Sequence, residues 1–229
     1  MSILILVPQG AEYQAVCQGV KRSLRSPQVM AIPIGIDPVQ RFLESRDFQT
    51  VSHAVVMGLC GSLSPLHQVG DVVLYGECVN GSGQVKMCDR TLTHHLQACL
   101  KVSPVRALSS DRMIWSSAEK QALGKLHSAE VVDMEGMAVM AWGDAIGSAK
   151  LPRIAMVRVV SDDVQHDLPD ISAAIDASGT LRSLPLAIGM IRQPIAAVRL
   201  IRGSLLGLRS LRSVTQQIVE CLDDGLAIG

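Results

Sequence analysis

Ile154-Ala-Met-Val-Arg-Val-Val-Ser-Asp-Asp163 decides how this chain is read. Apolar and β-branched residues broken only by Arg158 predict a strand buried on both faces, as parallel strands covered by helices are. The strand delivers Ser161, Asp162 and Asp163 at its carboxyl end, where open α/β sheets keep their chemistry. Asp162 is therefore a candidate acid. Working outward, apolar runs at 3–8, 29–34, 54–57, 72–75 and 131–132 predict further strands, and 16–24, 38–43, 91–100, 118–126 and 135–145 predict helices between them. That alternation indicates an α/β fold with a mixed, twisted central sheet flanked by helices. One domain spanning 1–229 suffices, since α/β folds often reach this size without splitting.

Composition narrows the function classes. Net charge is zero, charged residues make up 18% and aromatics 3% of the chain. Neither a phosphate-binding surface nor a base-stacking platform is indicated, so nucleic acid is not an expected partner. The six cysteines lie scattered without a C-x-x-C pair, which argues against a disulfide framework and structural zinc and for reduced thiols in a cytoplasmic setting. His94, His95 and His166 have no metal-ligand spacing, so neither metal nor cofactor is expected. The apolar run 3–7 is too short for a signal peptide, and no later segment has about 18 uninterrupted apolar residues, which predicts no spanning helix.

After Asp170 the composition shifts, and 171–229 reads as a mainly helical carboxy-terminal tail in which Pro185 or Pro194 can open a helix. Arg192, Arg199, Arg202, Arg209 and Arg212 recur at steps of 7, 3, 7 and 3, which gathers them on one side opposite Val198, Leu205 and Leu208. Two readings stay open for this basic, amphipathic tail. It packs against the domain or a second subunit with its arginines solvated, or it rests on an anionic membrane surface.

Three strand ends carry polar or glycine-rich groups that parallel neighbours would bring to one edge. These are Gln9-Gly10-Ala11-Glu12, Gly58-Leu59-Cys60-Gly61-Ser62 and Ser161-Asp162-Asp163. Gly58 and Gly61 permit close approach of backbone N–H groups to a ligand, or serve a tight turn; the third glycine of a dinucleotide fingerprint and the Walker lysine are absent. Val131-Val-Asp-Met-Glu135 places two carboxylates at a strand-to-helix junction. About 200° of helical rotation would part them, so Asp133 reads as a helix cap and Glu135 as a group able to face a ligand, while the residues alone favour a structural role for the pair. Cys60, Trp115, Trp142, Met137 and Met140 read as packing residues.

Taken together in order, Ile5-Leu-Val-Pro-Gln-Gly-Ala-Glu12, Gly58-Leu-Cys-Gly-Ser-Leu63 with Val69-Gly-Asp71, Val132-Asp-Met-Glu135 and Arg158-Val-Val-Ser-Asp162 resemble the nucleoside phosphorylase and nucleosidase superfamily over roughly residues 1–170. The pattern is similar to 5'-methylthioadenosine/S-adenosylhomocysteine nucleosidases and more so to hopanoid-associated nucleosidases. The resemblance implies cleavage of a purine N-glycosidic bond through an oxocarbenium-like state, releasing adenine. In it Asp162 matches the aspartate that protonates purine N7, with Ser161 holding it. Glu135 and Met134 match the ribose-contacting pair, and Glu12 matches the carboxylate that activates water. Met113 and Ile114 occupy the place of the base-binding segment, and a homodimer is implied as well.

Leu59 and Cys60 depart from the Ser-Ala of many methylthioadenosine nucleosidases, and Ser62 replaces a common glycine, which leaves water and phosphate open as nucleophiles. Glu12 favours water by repelling phosphate, whereas Arg41 or Arg158 would supply a compensating cation. Asp162-Asp-Val-Gln-His-Asp-Leu-Pro169 with the Arg/Leu tail resembles the hopanoid-associated subgroup, which implies an adenosine with a hydrophobic 5' substituent of the adenosylhopane kind. Within enzymes the rivals are a methylthioadenosine/S-adenosylhomocysteine nucleosidase and a phosphate-dependent purine nucleoside phosphorylase. A catalytically silent nucleoside- or lipid-binding protein is the alternative from another class.

Overall fold

In the computed structural model, which describes residues 3–21, 27–48, 50–145, 152–171 and 174–225, the chain alternates strand and helix as its hydrophobic pattern predicts. In order the elements are β1 (Ile3–Pro8), α1 (Ala11–Val20), β2 (Gln28–Ile32), α2 (Ile36–Glu44), β3 (His53–Ser62), β4 (Val72–Asn80), β5 (Val85–Met87), α3 (Arg90–Leu100), β6 (Pro104–Ser109), α4 (Ser117–His127), β7 (Val131–Asp133), α5 (Gly136–Ala145), β8 (Arg153–Asp162), α6 (Ser183–Arg192) and α7 (Pro194–Gly225). They build one α/β domain around a mixed sheet.

β8 is buried from Ile154 to Asp162 and pairs parallel with β3 on one side and antiparallel with β4 on the other. β4 continues to β6, β6 to β7, and β7 returns antiparallel to the end of β3. Five strands thus close a ring, with β1 and β2 extending it beyond β3 and β5 hanging from β4. One face packs against α1, α3 and α7 through Val16, Val55, Val157, Leu211 and Ile218; the other packs against α2 and α5 through Val39, Val56, Met156 and Val139. Trp142 lies edge-on to Phe48, 4.9 Å between ring centres, as a packing residue.

The pairing of β3 with β8 holds one irregularity. Cys60 lies opposite Val160, but Gly61 lies opposite Asp162, so Ser161 is an extra residue in its strand. Such a bulge breaks the alternation of side chains and re-aims those beside it.

Several expectations change in the structure. α1 begins at Ala11, five residues before the predicted 16, because Gly10 at φ 96° turns the chain straight from strand into helix; residues 22–24 of the predicted helix lie outside the described ones. β5 and β6 carry no strong strand signal, one being a three-residue edge and the other opening on Pro104. Cys99 on α3 and Cys221 on α7 are joined by a disulfide across 122 residues, a pairing made by helix packing that leaves no spacing motif to read.

α7 is also arranged differently from its helical pattern. Its sheet-facing seam is Gly203, Gly207, Leu211, Val214 and Ile218, spaced by three or four residues. Val198 and Leu205, expected opposite the arginines, are 48% and 52% exposed and share the water-facing side with Arg202 and Arg209. Small residues line the seam because the helix lies against backbone. A Cβ on Gly203 would collide with the Ser161 carbonyl, and one on Gly207 would come within 2.9 Å of Leu59.

Candidate active site

The ends of β1, β3, β7 and β8 meet at a cavity of about 220 Å³. Pro8, Glu12, Leu59, Cys60, Gly61, Met113, Ile114, Met134, Glu135, Ser161 and Asp162 all line it, as do Ile34, Arg112 and Leu168. Of the residues picked out from sequence, Gly58 does not. It lies beneath the floor at φ 153°, where a Cβ would strike Arg158 Nη1 and Glu12 Oε2. Its missing side chain lets a carboxylate and a guanidinium come together under the cavity.

Glu12 sits in the first turn of α1, not in a loop, and its Oε2 accepts the Leu59 N–H at 2.6 Å. Burial raises this carboxyl to about 7; Arg158 and the Leu59 N–H oppose the rise and the nearby Glu135 adds to it. A carboxyl that ionises near neutrality is suited to taking a proton from water.

Glu135 is buried and raised above the usual carboxylate range by that burial, against the pull of Arg158 and with Asp133 adding to the rise. Its Oε1 accepts the Gly35 N–H at 3.3 Å and its Oε2 accepts Arg158 Nη2 at 3.2 Å. Asp133 Oδ2 stands 3.2 Å from the same Nη2, close enough for charge pairing though not aligned as a hydrogen bond. The two carboxylates therefore share a counter-ion, contrary to the separation expected from helical rotation. Asp133 still lies in β7, and its Oδ1 accepts the Gly136 N–H at 3.1 Å, so it caps α5 from the strand. Burial works against the charge on Arg158, but Asp133 and Glu135 overcome it and hold the guanidinium protonated.

The bulge places Ser161 and Asp162 on the same side. Ser161 Oγ lies 2.7 Å from Asp162 Oδ1 and 3.1 Å from the Cys60 carbonyl. Asp162 Oδ2 is paired with Lys120 of α4, a residue that no motif indicated. Asp163 turns away and caps its own loop, accepting the backbone N–H groups of Gln165 and His166. Cys60 is buried in the wall and its thiol is pushed well up by burial, which suits packing and not nucleophilic attack. Arg41 is directed elsewhere, to the Ala177 carbonyl, and Arg112 is paired with Glu119.

Residues 39–182 match the model of the phosphorylase superfamily. The chain belongs to that superfamily. Membership makes it an N-glycosidase of the nucleosidase and nucleoside phosphorylase kind, and a nucleoside is the matching substrate class. Among solved structures, the 5'-methylthioadenosine/S-adenosylhomocysteine nucleosidase of Helicobacter pylori is similar at TM-score 0.70 and 13% identity, with 98% of each chain covered. The futalosine hydrolase of Helicobacter pylori is similar at 0.68 and 13%, covering 98% of this chain and 97% of that one. The 5'-methylthioadenosine nucleosidase of Arabidopsis thaliana follows at 0.68 and 15%, covering 96% and 94%. At such identities the likeness is one of fold. A sequence search of curated proteins finds no match.

Proposed function

We propose that the protein hydrolyses the N-glycosidic bond of an adenosine derivative with a large apolar 5' group, of the adenosylhopane kind, and releases adenine. The observation that carries this reading is the convergence of Glu12, Glu135 and Asp162 on one cavity whose other walls are mainly apolar, among them Ile34, Leu59, Met113, Ile114 and Leu168. Asp162, held by Ser161, protonates N7 and lets the purine leave neutral. Glu135 and Met134 hold the ribose, Met113 and Ile114 face the base, and Glu12 orients and deprotonates the attacking water.

Water is favoured over phosphate by charge. Arg158 lies under the floor committed to Asp133 and Glu135, and Arg41 and Arg112 are engaged elsewhere. A phosphate dianion would face Glu12, Asp133, Glu135 and Asp162, and among the described residues no unpaired cation lines the cavity. The cavity volume, about 220 Å³, falls below the roughly 300–1,000 Å³ of pockets that enclose drug-sized ligands. A bulky 5' group therefore extends through the mouth.

Leu184, Ile188, Ile191, Ile195 and Val198 of α6 and α7 are exposed beside Arg192, Arg199 and Arg202. Arg199 acts electrostatically on Asp167, the neighbour of wall residue Leu168. Apolar and cationic side chains mixed on one helical face fit the anionic surface of a bilayer, in which an apolar 5' group would be anchored.

The test is adenine release from methylthioadenosine, S-adenosylhomocysteine, adenosine and an adenosine with a bulky apolar 5' group, with and without phosphate. Preference for the last compound without need of phosphate is expected. Preference for methylthioadenosine moves the assignment to the small nucleosides, phosphate dependence moves it to a phosphorylase, and binding without release moves it to a silent binding protein.

A further inference from the structure

α4 opens on Ser116, whose hydroxyl caps the Glu119 N–H, and one helical position later it turns a lysine inward. Lys120 is 0% exposed. Its ammonium pairs with Asp162 Oδ2 and donates to the Asp163 carbonyl at 2.9 Å. Taking an ammonium out of water costs several kcal/mol unless a partner charge compensates, so an apolar residue would be the default at a purely structural position here. The other oxygen of Asp162 is also occupied, by Ser161 Oγ at 2.7 Å. A carboxylate ion-paired with an ammonium has no proton to hand on until one passes to it. The leaving base needs a donor behind Asp162, and Lys120 is the cationic group in contact with it.

We infer that Lys120 is a positioning residue that fixes Asp162 and supplies, through it, the proton that reaches the departing base. This rests on the nucleosidase reading above. As the bond from C1' to N9 breaks, its electron pair passes to the purine; N7 takes a proton from Asp162, which takes one from Lys120 Nζ. The water oxygen bonds to C1' and its proton goes to Glu12. Lys120 ends as a neutral amine and Glu12 as a carboxylic acid, and solvent exchange restores both. Gly61 leaves room for the arrangement, since a Cβ there would stand 2.9 Å from Asp162 Oδ2.

The experiment compares wild type, Lys120→Met and Asp162→Asn on two substrates with the same 5' group: the purine nucleoside, and a 4-nitrophenyl riboside whose leaving group departs as a stable anion. Lys120→Met is expected to lower kcat on the purine substrate by about 10²-fold or more, with KM within about threefold, while the nitrophenyl riboside keeps its rate within about threefold. Asp162→Asn should show the same split. Unchanged purine turnover in Lys120→Met, or equal loss on both substrates, overturns the inference. If that variant does not fold, wild type decides. Its purine rate should fall at alkaline pH while the nitrophenyl rate does not, and parallel profiles overturn the inference. Wild-type protein that releases base from no nucleoside removes the nucleosidase reading, and this inference with it.

Discussion

Glu12 joins function to stability through a single carboxyl. In the fold it ionises at about 7 against an ordinary 4.5, so the folded state keeps a proton over a range in which the unfolded chain has lost it. The stability this gives is complete below about pH 4.5 and is lost as pH rises through about 7. Glu12→Gln removes the loss. Melting curves should show the variant gaining on wild type between pH 4 and pH 8, by at most about 3 kcal/mol at roughly 1.4 kcal/mol per pH unit. The same variant should lose the rise in kcat/KM near pH 7 and about 10²-fold or more in rate. An unaltered pH profile would remove Glu12 as the base.

At the level of elements, α7 governs the acid end of β8 by contact with backbone. Gly203 lies against the Ser161 carbonyl and Gly207 against Leu59 and Val160, so a methyl group at either position moves the helix or the bulge. Gly203→Ala is expected to cost about 1–3 kcal/mol by overpacking and to lower kcat through misplacement of Asp162. Gly81→Ala, in an exposed turn where a Cβ meets nothing within 4 Å, is the control. Calorimetry with turnover measurements checks both. The sequence made β8 legible because its burial on both faces leaves a continuous apolar run, and it made α2, α3 and α4 legible because each has a polar side. It hid the first part of the α7 seam, where close approach to the sheet requires Gly203 and Gly207 and the larger Val198 and Leu205 lie outside. It hid Lys120 as well, because a lysine on a helix reads as solvated until the partner across space is known.

For the whole molecule, closure of the ring depends on β7, a strand of three residues whose pairing no local pattern announces. That closure brings Glu135, just after β7, to the same mouth as Asp162 at the end of β8. No helix among the described residues is long and apolar enough to cross a membrane. On the function proposed above, the exposed face of α6 and α7 is expected to lie on the surface of a bilayer. Sedimentation with vesicles should show binding to anionic and not to zwitterionic lipid, weakened by salt and abolished by Ile188→Glu with Val198→Glu. If the doubly substituted protein still binds vesicles, the face is wrongly assigned. A concentration-dependent dimer lost in the same variant would assign it to a second copy of the chain.

The extra residue at Ser161 gives the site an uneven sensitivity to inherited change. A first-position change in a valine codon of β8 exchanges one apolar side chain for another, which cores tolerate best when volume is kept. Loss of one codon is different. Removing Val157 lets the ladder with β3 run on in regular register with Asp162 still opposite Gly61, and the one-place slip sends the side chains of residues 158–160 to the opposite face. The strand would pair more evenly and Arg158 would point away from Asp133 and Glu135. In this protein the length of a strand, as much as its residues, encodes the reaction.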